Sequence, residues 1–445
     1  MPRFLTDVTP LRVSPDFRRL WWGLGVSSLG HQFTVVAVGL EAYHLTGSTF
    51  SVGLVGLSEL VPLVVFGLYG GALLDQVDRR KAALVATVVM WATTLGLAAQ
   101  AATGASRIGV LYALVALQAA GFAVNSPART AIIPRLVEPR LLPAANALGS
   151  LSTNVSLTAG PMLGAVVVAT TGFTYAYLVD AVLMSFAMWA IFRLPPIIPE
   201  RQHPAATGGA TAAQDGPAAR GGAVRDVGLR QVLDGLRYLA TQPNVRMTFL
   251  VDLCAMVFAM PRVLFPAVGV VYLGGGATTT GALTTGIAVG GIVSSLFTGG
   301  LTRRRHQGRI IVWAVTGWGL SIVAFGAVLV VAGRSRPDHV VWVALVLALV
   351  TLAAAGASDT ISAVFRQSIL QTATPDHMRG RLQGVFIVVV AGGPRLGDLV
   401  LGTGADRVGE AWAAVAGGLL CVLALWLLVS RNRRFLAYDA QHPEP

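Results

Sequence analysis

Two carboxylic acids in the middle of long apolar stretches are the first residues of this sequence that could do chemistry. Glu59 and Asp252 each lie near the centre of such a stretch, with no opposite charge within one helical turn along the chain. A carboxyl group in low-dielectric surroundings can exchange protons or bind a cation. We therefore predict a proton-coupling or cationic-ligand role for both residues. The alternative is that each is a protonated, hydrogen-bonded packing residue.

Three further ionisable residues could bind charged ligands. Arg395 and Asp398 are three residues apart, one helical turn, so they could form an ion pair. Such a pair is either structural or part of a ligand or proton site. Arg262 follows a proline at which a helix should break, and it could bind a carboxylate or catecholate group or else hold Asp252.

For the other ionisable residues in apolar stretches, the sequence gives weaker support for a functional role. His31 is either a coupling group or, more simply, a hydrogen-bonded polar residue. Asp359 and Arg366 are seven residues apart on one helix face, and we interpret them as a structural pair. Glu41 and Asp180 lie near the ends of their stretches, where entrance or packing roles are expected.

These residues must be held by membrane-spanning helices. The chain has 445 residues, 54% hydrophobic and 12% charged, whereas about a quarter of the residues of a soluble domain are charged. The apolar stretches lack the ten-residue alternation of a transmembrane barrel. The predicted fold is an all-α integral membrane protein with twelve transmembrane helices. The predicted spans are 20–43, 50–74, 82–102, 108–132, 144–170, 174–192, 245–273, 281–301, 310–332, 340–365, 382–403 and 412–429.

The positive charges indicate how these helices are oriented. Most of the 33 Lys and Arg residues lie in alternate connections between the spans. Because positive loops stay on the cytoplasmic side, both termini are predicted to be cytoplasmic, in a multi-pass protein of the bacterial plasma membrane. The net charge of +12 then follows from topology, and nucleic acid is not expected as a partner.

A polar segment divides the spans into two sets of six. The predicted parts are a cytoplasmic N-terminus (1–19), a first six-helix bundle (20–192), a linker (193–244), a second bundle (245–430) and a cytoplasmic tail (431–445). Apolar residues at helical spacing late in the linker predict an amphipathic helix on the inner membrane surface. Nothing outside the two bundles requires a protein partner, so a monomer in the lipid bilayer is expected.

The two bundles carry matching motifs, which predicts an internal duplication. Gly160-Pro161 and Gly164 in the fifth span correspond to Gly393-Pro394 and Gly397 in the eleventh. Glycines four residues apart allow helices to pack closely, and a proline bends a helix that lines a cavity. We predict a helix-packing role for both copies.

A loop motif follows the second span. Gly71, Asp75, Arg79 and Arg80 belong to a Gly-rich segment that ends in basic residues. This segment resembles the signature of the major facilitator superfamily between spans two and three, Gly-x-Leu-x-Asp-x-x-x-Arg-Arg/Lys. The resemblance implies that these four residues form a gating loop. The sequence departs from the signature at Asp78, where a glycine is usual.

Further segments are similar to one branch of that superfamily. Residues 14–18, 262–267, 370–375 and 380–384 resemble the drug:proton antiporters, a branch that also includes siderophore exporters. The likeness extends from about Pro15 to Arg431. It implies two six-helix halves around a central cavity that opens alternately to each side, and export of a small molecule, a siderophore or a lipophilic drug, in exchange for protons.

Other classes of function have little support in the sequence. The seven histidines lack metal-ligand spacing, and Cys254 and Cys421 lie apart in apolar stretches, so we expect neither an enzyme nor a metal site. The chain has no phosphate-binding Gly-x-x-x-x-Gly-Lys-Ser/Thr motif, and no cofactor is expected. An uptake carrier or a non-transporting sensor on the same scaffold stays open as an alternative.

Overall fold

The computed structural model describes residues 7–74, 77–104, 107–197, 233, 235–301, 305–373 and 376–439. These residues are almost entirely helical, and we number the long helices α1 to α12. They are α1 (Pro15–Thr46), α2 (Thr49–Leu74), α3 (Arg79–Ala102), α4 (Ile108–Ile132), α5 (Leu142–Thr171), α6 (Phe173–Phe192), α7 (Pro243–Phe258), α8 (Gly276–Leu301), α9 (Gln307–Ala332), α10 (Trp342–Thr372), α11 (Asp376–Val408) and α12 (Glu410–Arg431).

Most of these helices are built to cross a membrane. Ten candidate spans in the described part of the chain are long and apolar enough, by length and composition. The other two long helices, α8 and α11, have 26 and 33 residues and occupy the predicted eighth and eleventh spans. At 1.5 Å per residue, both exceed the hydrocarbon thickness of a bilayer. The protein is therefore an all-α, multi-pass membrane protein.

Several helices extend beyond their apolar stretches. Helix α1 begins at Pro15, because the Ser14 hydroxyl accepts a hydrogen bond from the Phe17 amide at 3.1 Å and proline suits the first turn. Helices α10 and α11 likewise extend into polar segments, which the charge pattern predicts to be cytoplasmic. Hydropathy detects only the part of a helix that lies in the bilayer, so the predicted spans were shorter than these helices.

The seventh helix is interrupted, as Pro261 and Pro266 predict. It ends at Phe258, a 3₁₀ turn covers Pro261–Leu264, and a short helix continues over Phe265–Val271. Proline lacks an amide donor and its ring crowds the preceding turn, so two prolines within six residues break the hydrogen-bond ladder. The break places Arg262 at a bend instead of within a straight helix.

The helices pack as two equivalent sets of six. In the first half, α1 packs on α5 and α6, α4 on α2 and α3, and α3 on α6. In the second half, α7 packs on α11 and α12, α10 on α8 and α9, and α9 on α12. The second pattern repeats the first with each helix number increased by six. The fold therefore has two pseudo-repeated six-helix halves.

The halves touch each other through two equivalent helix pairs, α2 with α11 and α5 with α8. Glycine makes both contacts close. A Cβ atom on Gly53 of α2 would lie 2.5 Å from the Asp398 carbonyl oxygen of α11, and one on Gly281 of α8 would lie 2.8 Å from the Pro161 carbonyl oxygen of α5. Larger side chains at these positions would force the halves apart.

The repeated Gly-Pro motifs lie at equivalent helix contacts within each half. A Cβ on Gly160 or Gly164 of α5 would meet Gln32 at 2.5 Å or Phe33 at 2.8 Å, both on α1. On α11, a Cβ on Gly393 would meet Met256 of α7 at 3.2 Å, and Gly397 lies against the same residue. Pro161 and Pro394 are each inside a continuous helix.

The linker between the halves is mostly outside the described residues. Of the predicted amphipathic helix, residue 233 and residues 235–241 are helical, and the preceding positions are not described. Asp75 of the predicted gating loop is also outside the described residues.

Candidate functional site

A cavity of about 590 Å³ lies between the two halves. Helices α1, α2, α4 and α5 line it from the first half. The 3₁₀ turn and the short helix that follow α7 line it from the second half, together with α8, α10 and α11. The lining includes apolar side chains such as Val36, Val55 and Phe265, with polar groups such as Gln32 and Thr158 among them. This size and mixed lining are typical of small-molecule sites.

Ionisable residues from both halves reach this cavity. Five of the six predicted coupling or substrate residues line it, namely His31, Glu59, Arg262, Arg395 and Asp398. Asp359 lines it as well. Asp252 is not among the lining residues and lies buried between helices of the second half.

An ion pair bridges the halves at Glu59. The Arg395 guanidinium of α11 donates from Nη2 and Nε to Glu59 Oε2 of α2, at 2.8 and 3.1 Å. The two side chains are 24% and 29% exposed, so solvent weakens the pair only partly. The expectation that Glu59 is isolated was wrong, because its partner is distant in sequence and meets it only when the halves pack.

Asp398 lies near this ion pair, but it does not take the place of Glu59 as the partner to which Arg395 donates. No described residue forms a hydrogen bond with its buried Oδ1 atom, and Arg262, Glu59 and Arg395 are all within electrostatic reach. The predicted one-turn ion pair assigned Arg395 to Asp398, whereas the guanidinium donates across the interface to Glu59. Asp398 therefore supplies an additional carboxyl group to the cavity wall.

Asp252 is held within the second half by Arg366. These side chains, on α7 and α10, form a buried ion pair. Arg366 Nη2 also lies 3.7 Å from Asp359 Oδ1, which confirms the interpretation of Asp359 and Arg366 as a pair. The alternative in which Arg262 holds Asp252 was wrong, because Arg366 supplies the opposite charge. Arg366 thus contacts both the buried Asp252 and Asp359, which lines the cavity.

Arg262 presents a cation to the cavity. It lies on the 3₁₀ turn that interrupts α7, with an exposed side chain. Among the described residues, no ion-pair or hydrogen-bond partner of Arg262 is found, although Asp359 and Asp398 are within electrostatic reach. The broken helix thus leaves a guanidinium available for an anionic ligand group.

The remaining candidate, His31 of α1, lines the cavity from the first half. Its ring stacks on Phe122 of α4, with centroids 6.1 Å apart and planes 8° apart. Its Nδ1 atom is buried, and it has no hydrogen-bond partner in the part of the chain that the structure describes. The hydrogen-bonded role expected as the simpler alternative is therefore not seen at Nδ1.

The sequence did not indicate a second contact between the halves, at the helix ends predicted to be extracellular. Asp406 of α11 accepts a hydrogen bond from the Ser48 hydroxyl at 2.5 Å, and from the amides of Thr49 and Phe50 at 2.9 and 3.2 Å. We call these four residues the α2–α11 cap. Beside it, Glu410 accepts from the Thr49 hydroxyl at 3.2 Å. A Ser-Thr pair at a helix start suggests capping, but no sequence signal assigns the acid from the other half.

Comparisons with known proteins identify the fold family. Residues 5–444 match the family described as "Transmembrane secretion effector", a family of the major facilitator superfamily. The chain belongs to this family. The predicted superfamily membership is thereby confirmed, and the protein has the fold of membrane transporters.

Two relatives are similar in sequence to this chain over nearly its whole length. The enterobactin exporter EntS of Citrobacter koseri is 28% identical over 443 residues, 97% of this chain and 96% of that protein. The enterobactin exporter EntS of Shigella boydii is 27% identical over 436 residues, 96% and 94% of the two chains.

Solved structures share the architecture at low identity. A crystallised variant of the peptide transporter POT matches with a TM-score of 0.71 at 13% identity, covering 95% of both chains. The Escherichia coli xylose transporter XylE, in an inward-open conformation, matches with a TM-score of 0.65 at 12% identity, covering 92% of this chain and 94% of XylE. These likenesses concern the fold.

The family loop after α2 is built differently from its usual signature. Asp78, which replaces the usual glycine, accepts hydrogen bonds from the Arg80 amide at 2.9 Å and the Ile197 amide at 3.1 Å. It therefore caps α3 and ties the loop to the segment that follows α6. Arg79 donates from Nη1 to the Ala131 carbonyl at 3.3 Å. Gly71 lies within α2.

Proposed function

We propose that this protein exports a small molecule across the bacterial plasma membrane in exchange for protons. The family and the fold are those of membrane transporters, and the named relatives are exporters. One observation carries the proposal: a cavity between two pseudo-repeated halves is lined by charged side chains from both. Such a site can face each membrane side in turn when the halves rock.

The state of the interface favours access from the cytoplasm. The α2–α11 cap and the contact of Gly281 with α5 join helix ends predicted to be extracellular. With the predicted orientation, the outer side is closed, and a ligand binds from the cytoplasm. Release outside then requires that these contacts open.

Glu59 and Arg395 offer a route by which a proton changes this equilibrium. Ionised Glu59 holds α11 against α2 through two charge-assisted hydrogen bonds. A protonated Glu59 carries no charge for Arg395 and weakens the contact between the halves. Proton binding and the rocking of the halves are thereby linked, as antiport requires.

The charged side chains of the cavity indicate which ligand charge would be favoured. Arg262 favours an anionic group such as a carboxylate or a catecholate, and enterobactin is the ligand in the names of the relatives. Asp359 and Asp398 favour a cationic drug instead. Because no described residue forms an ion pair or hydrogen bond with the Arg262 guanidinium, we propose an anionic siderophore-like ligand first.

Transport by inside-out vesicles tests the proposal. In such vesicles, export appears as uptake, so we expect enterobactin to accumulate when the lumen is acidic and not when the gradient is collapsed. A lipophilic cationic dye, measured in parallel, separates a drug exporter from a siderophore exporter. Uptake of either compound that does not depend on the proton gradient contradicts antiport. Binding of a ligand without any transport favours a sensor.

A pair of matched variants assigns the effect to the cavity. Glu59→Gln should abolish gradient-driven uptake while membrane insertion is kept. Glu138→Gln, which removes an exposed acid paired with Arg140 outside the cavity, should leave uptake intact. Normal uptake by the Glu59 variant removes this residue from the coupling role.

A further inference from the structure

A second pocket lies on the outside of the first half, between α1 and α6. It has a volume of about 380 Å³, and its lining includes Arg18, Arg19, Trp22, Gly23, Phe186 and Trp189. These residues belong to the start of α1 and the last turns of α6, both predicted to lie at the cytoplasmic membrane surface. We call this pocket the α1–α6 groove. It is separate from the central cavity, which none of these residues lines.

The floor and walls of the groove are apolar. At the floor, a Cβ on Gly23 would lie 2.8 Å from the Ala190 side chain and 3.0 Å from the Phe186 carbonyl oxygen, so the two helices are in close contact there. The walls are aromatic rings, Trp22, Phe186 and Trp189, which are 58%, 53% and 50% exposed. The neighbouring Trp21 instead donates its indole N–H to the Leu148 carbonyl at 2.9 Å and points inward.

One end of the groove is basic. Arg18 is exposed, and no described residue forms an ion pair or hydrogen bond with it. Arg19 lies 2.9 Å from Asp16, with each side chain 36% exposed. The two arginines therefore exceed the one acid, and a positive charge stays available next to the aromatic walls.

We propose that the α1–α6 groove binds an anionic phospholipid of the cytoplasmic leaflet. Guanidinium groups form charge-assisted hydrogen bonds with phosphate, and basic pockets on the cytoplasmic side of helix pairs suit anionic headgroups. Tryptophan favours the depth at which headgroup and acyl chain meet. In this arrangement the phosphate contacts Arg18 and Arg19, and an acyl chain follows Trp22, Phe186 and Trp189 over the glycine floor.

The charge complementarity selects this occupant over others. A zwitterionic lipid brings its own cation to the arginines, and a free anion makes no use of the three rings. The inference concerns the lipid-facing surface of the fold and does not depend on the ligand or the coupling ion of the central cavity.

Lipid retention by the purified full-length protein tests the proposal. The protein in detergent is offered equal amounts of phosphatidylglycerol and phosphatidylcholine, and bound lipid is measured by native mass spectrometry. Two arginines offset by one acid predict a preference for phosphatidylglycerol of about fivefold, which should be lost in Arg18→Gln/Arg19→Gln. The control Arg431→Gln/Arg434→Gln removes exposed basic residues at the predicted cytoplasmic end of the second half and should keep the preference.

Two further measurements keep the test decisive. Trp22→Ala leaves the charges in place and should reduce retention of both lipids, which supports a groove that also holds the acyl chain. Inorganic phosphate should not stabilise the protein against thermal unfolding, whereas phosphatidylglycerol should. The proposal is overturned if the Arg18 and Arg19 variant keeps its preference for phosphatidylglycerol, if the control loses that preference to the same extent, or if phosphate stabilises the protein as much as the lipid does.

Discussion

Removal of the Asp406 carboxylate should open the predicted outer side of the cavity. Asp406→Ala deletes the three hydrogen bonds that join α11 to the first turn of α2. Helix α2 stays capped, because the Ser48 hydroxyl also accepts from the Ser51 amide at 3.2 Å. The substitution therefore acts on the contact between the halves more than on the helix.

The size of the effect follows from the exposure of the site. Loss of a capping side chain costs about 1 kcal/mol, and hydrogen bonds to a charged group reach about 1.5–3 kcal/mol when they are buried. Because Asp406 is exposed, we take the lower value, about 1 kcal/mol. Since 1.4 kcal/mol is a factor of ten, the ratio of outward-open to outward-closed protein should rise about fivefold.

Labelling of a cysteine in the cavity measures this ratio. Cys254 and Cys421 are both free and buried, so a background with serine at both positions can carry a single Val38→Cys in the cavity wall. A membrane-impermeant maleimide added outside intact cells should label this cysteine about fivefold faster in Asp406→Ala.

A neighbouring residue provides the control. Arg407→Ala alters the adjacent exposed side chain, which has no partner among the described residues, and should not change the labelling rate. An unchanged rate in Asp406→Ala, or the same acceleration in Arg407→Ala, would refute the role of the cap in closing the outer side.

Four other substitutions test separate parts of the structure. Gly281→Leu should lower transport with ligand binding kept, because the halves could not close against α5, and normal turnover in vesicles would count against this contact. Arg366→Leu should destabilise the folded protein by about 3 kcal/mol, since Asp252 is left as a buried charge, and an unchanged thermal unfolding midpoint contradicts this. Arg262→Gln should weaken binding of an anionic ligand about tenfold and spare a cationic one, measured by equilibrium binding. Asp75→Asn should slow transport while ligand binding is retained, and loss of binding would contradict its gating role.

Much of the fold could be predicted from the sequence because the bilayer imposes simple rules. Apolar length locates the spans, and the two prolines near Arg262 locate the break in α7. The repeat of Gly160-Pro161 at Gly393-Pro394 indicated the duplicated halves. The helix ends were predicted less accurately, because a polar extension such as the end of α10 cannot be detected by its hydropathy.

The partners of Glu59 and Asp252 could not be predicted. Glu59 meets Arg395, and Asp252 meets Arg366, only through packing of distant helices. Helical periodicity describes neighbours on one helix and so favoured Asp398 as the partner of Arg395. The cap at Asp406 was missed for the same reason, with the added difficulty that its donors are mostly backbone amides.

We propose that ligand and proton movement are linked through the ion pair of Glu59 and Arg395. The most direct test of this link is the proton flux caused by ligand in proteoliposomes that contain a pH-sensitive dye. We predict that a ligand gradient drives protons in the opposite direction with the unaltered protein and moves none with Glu59→Gln. Ligand movement without proton movement in the unaltered protein, or full proton movement in the variant, would contradict the account.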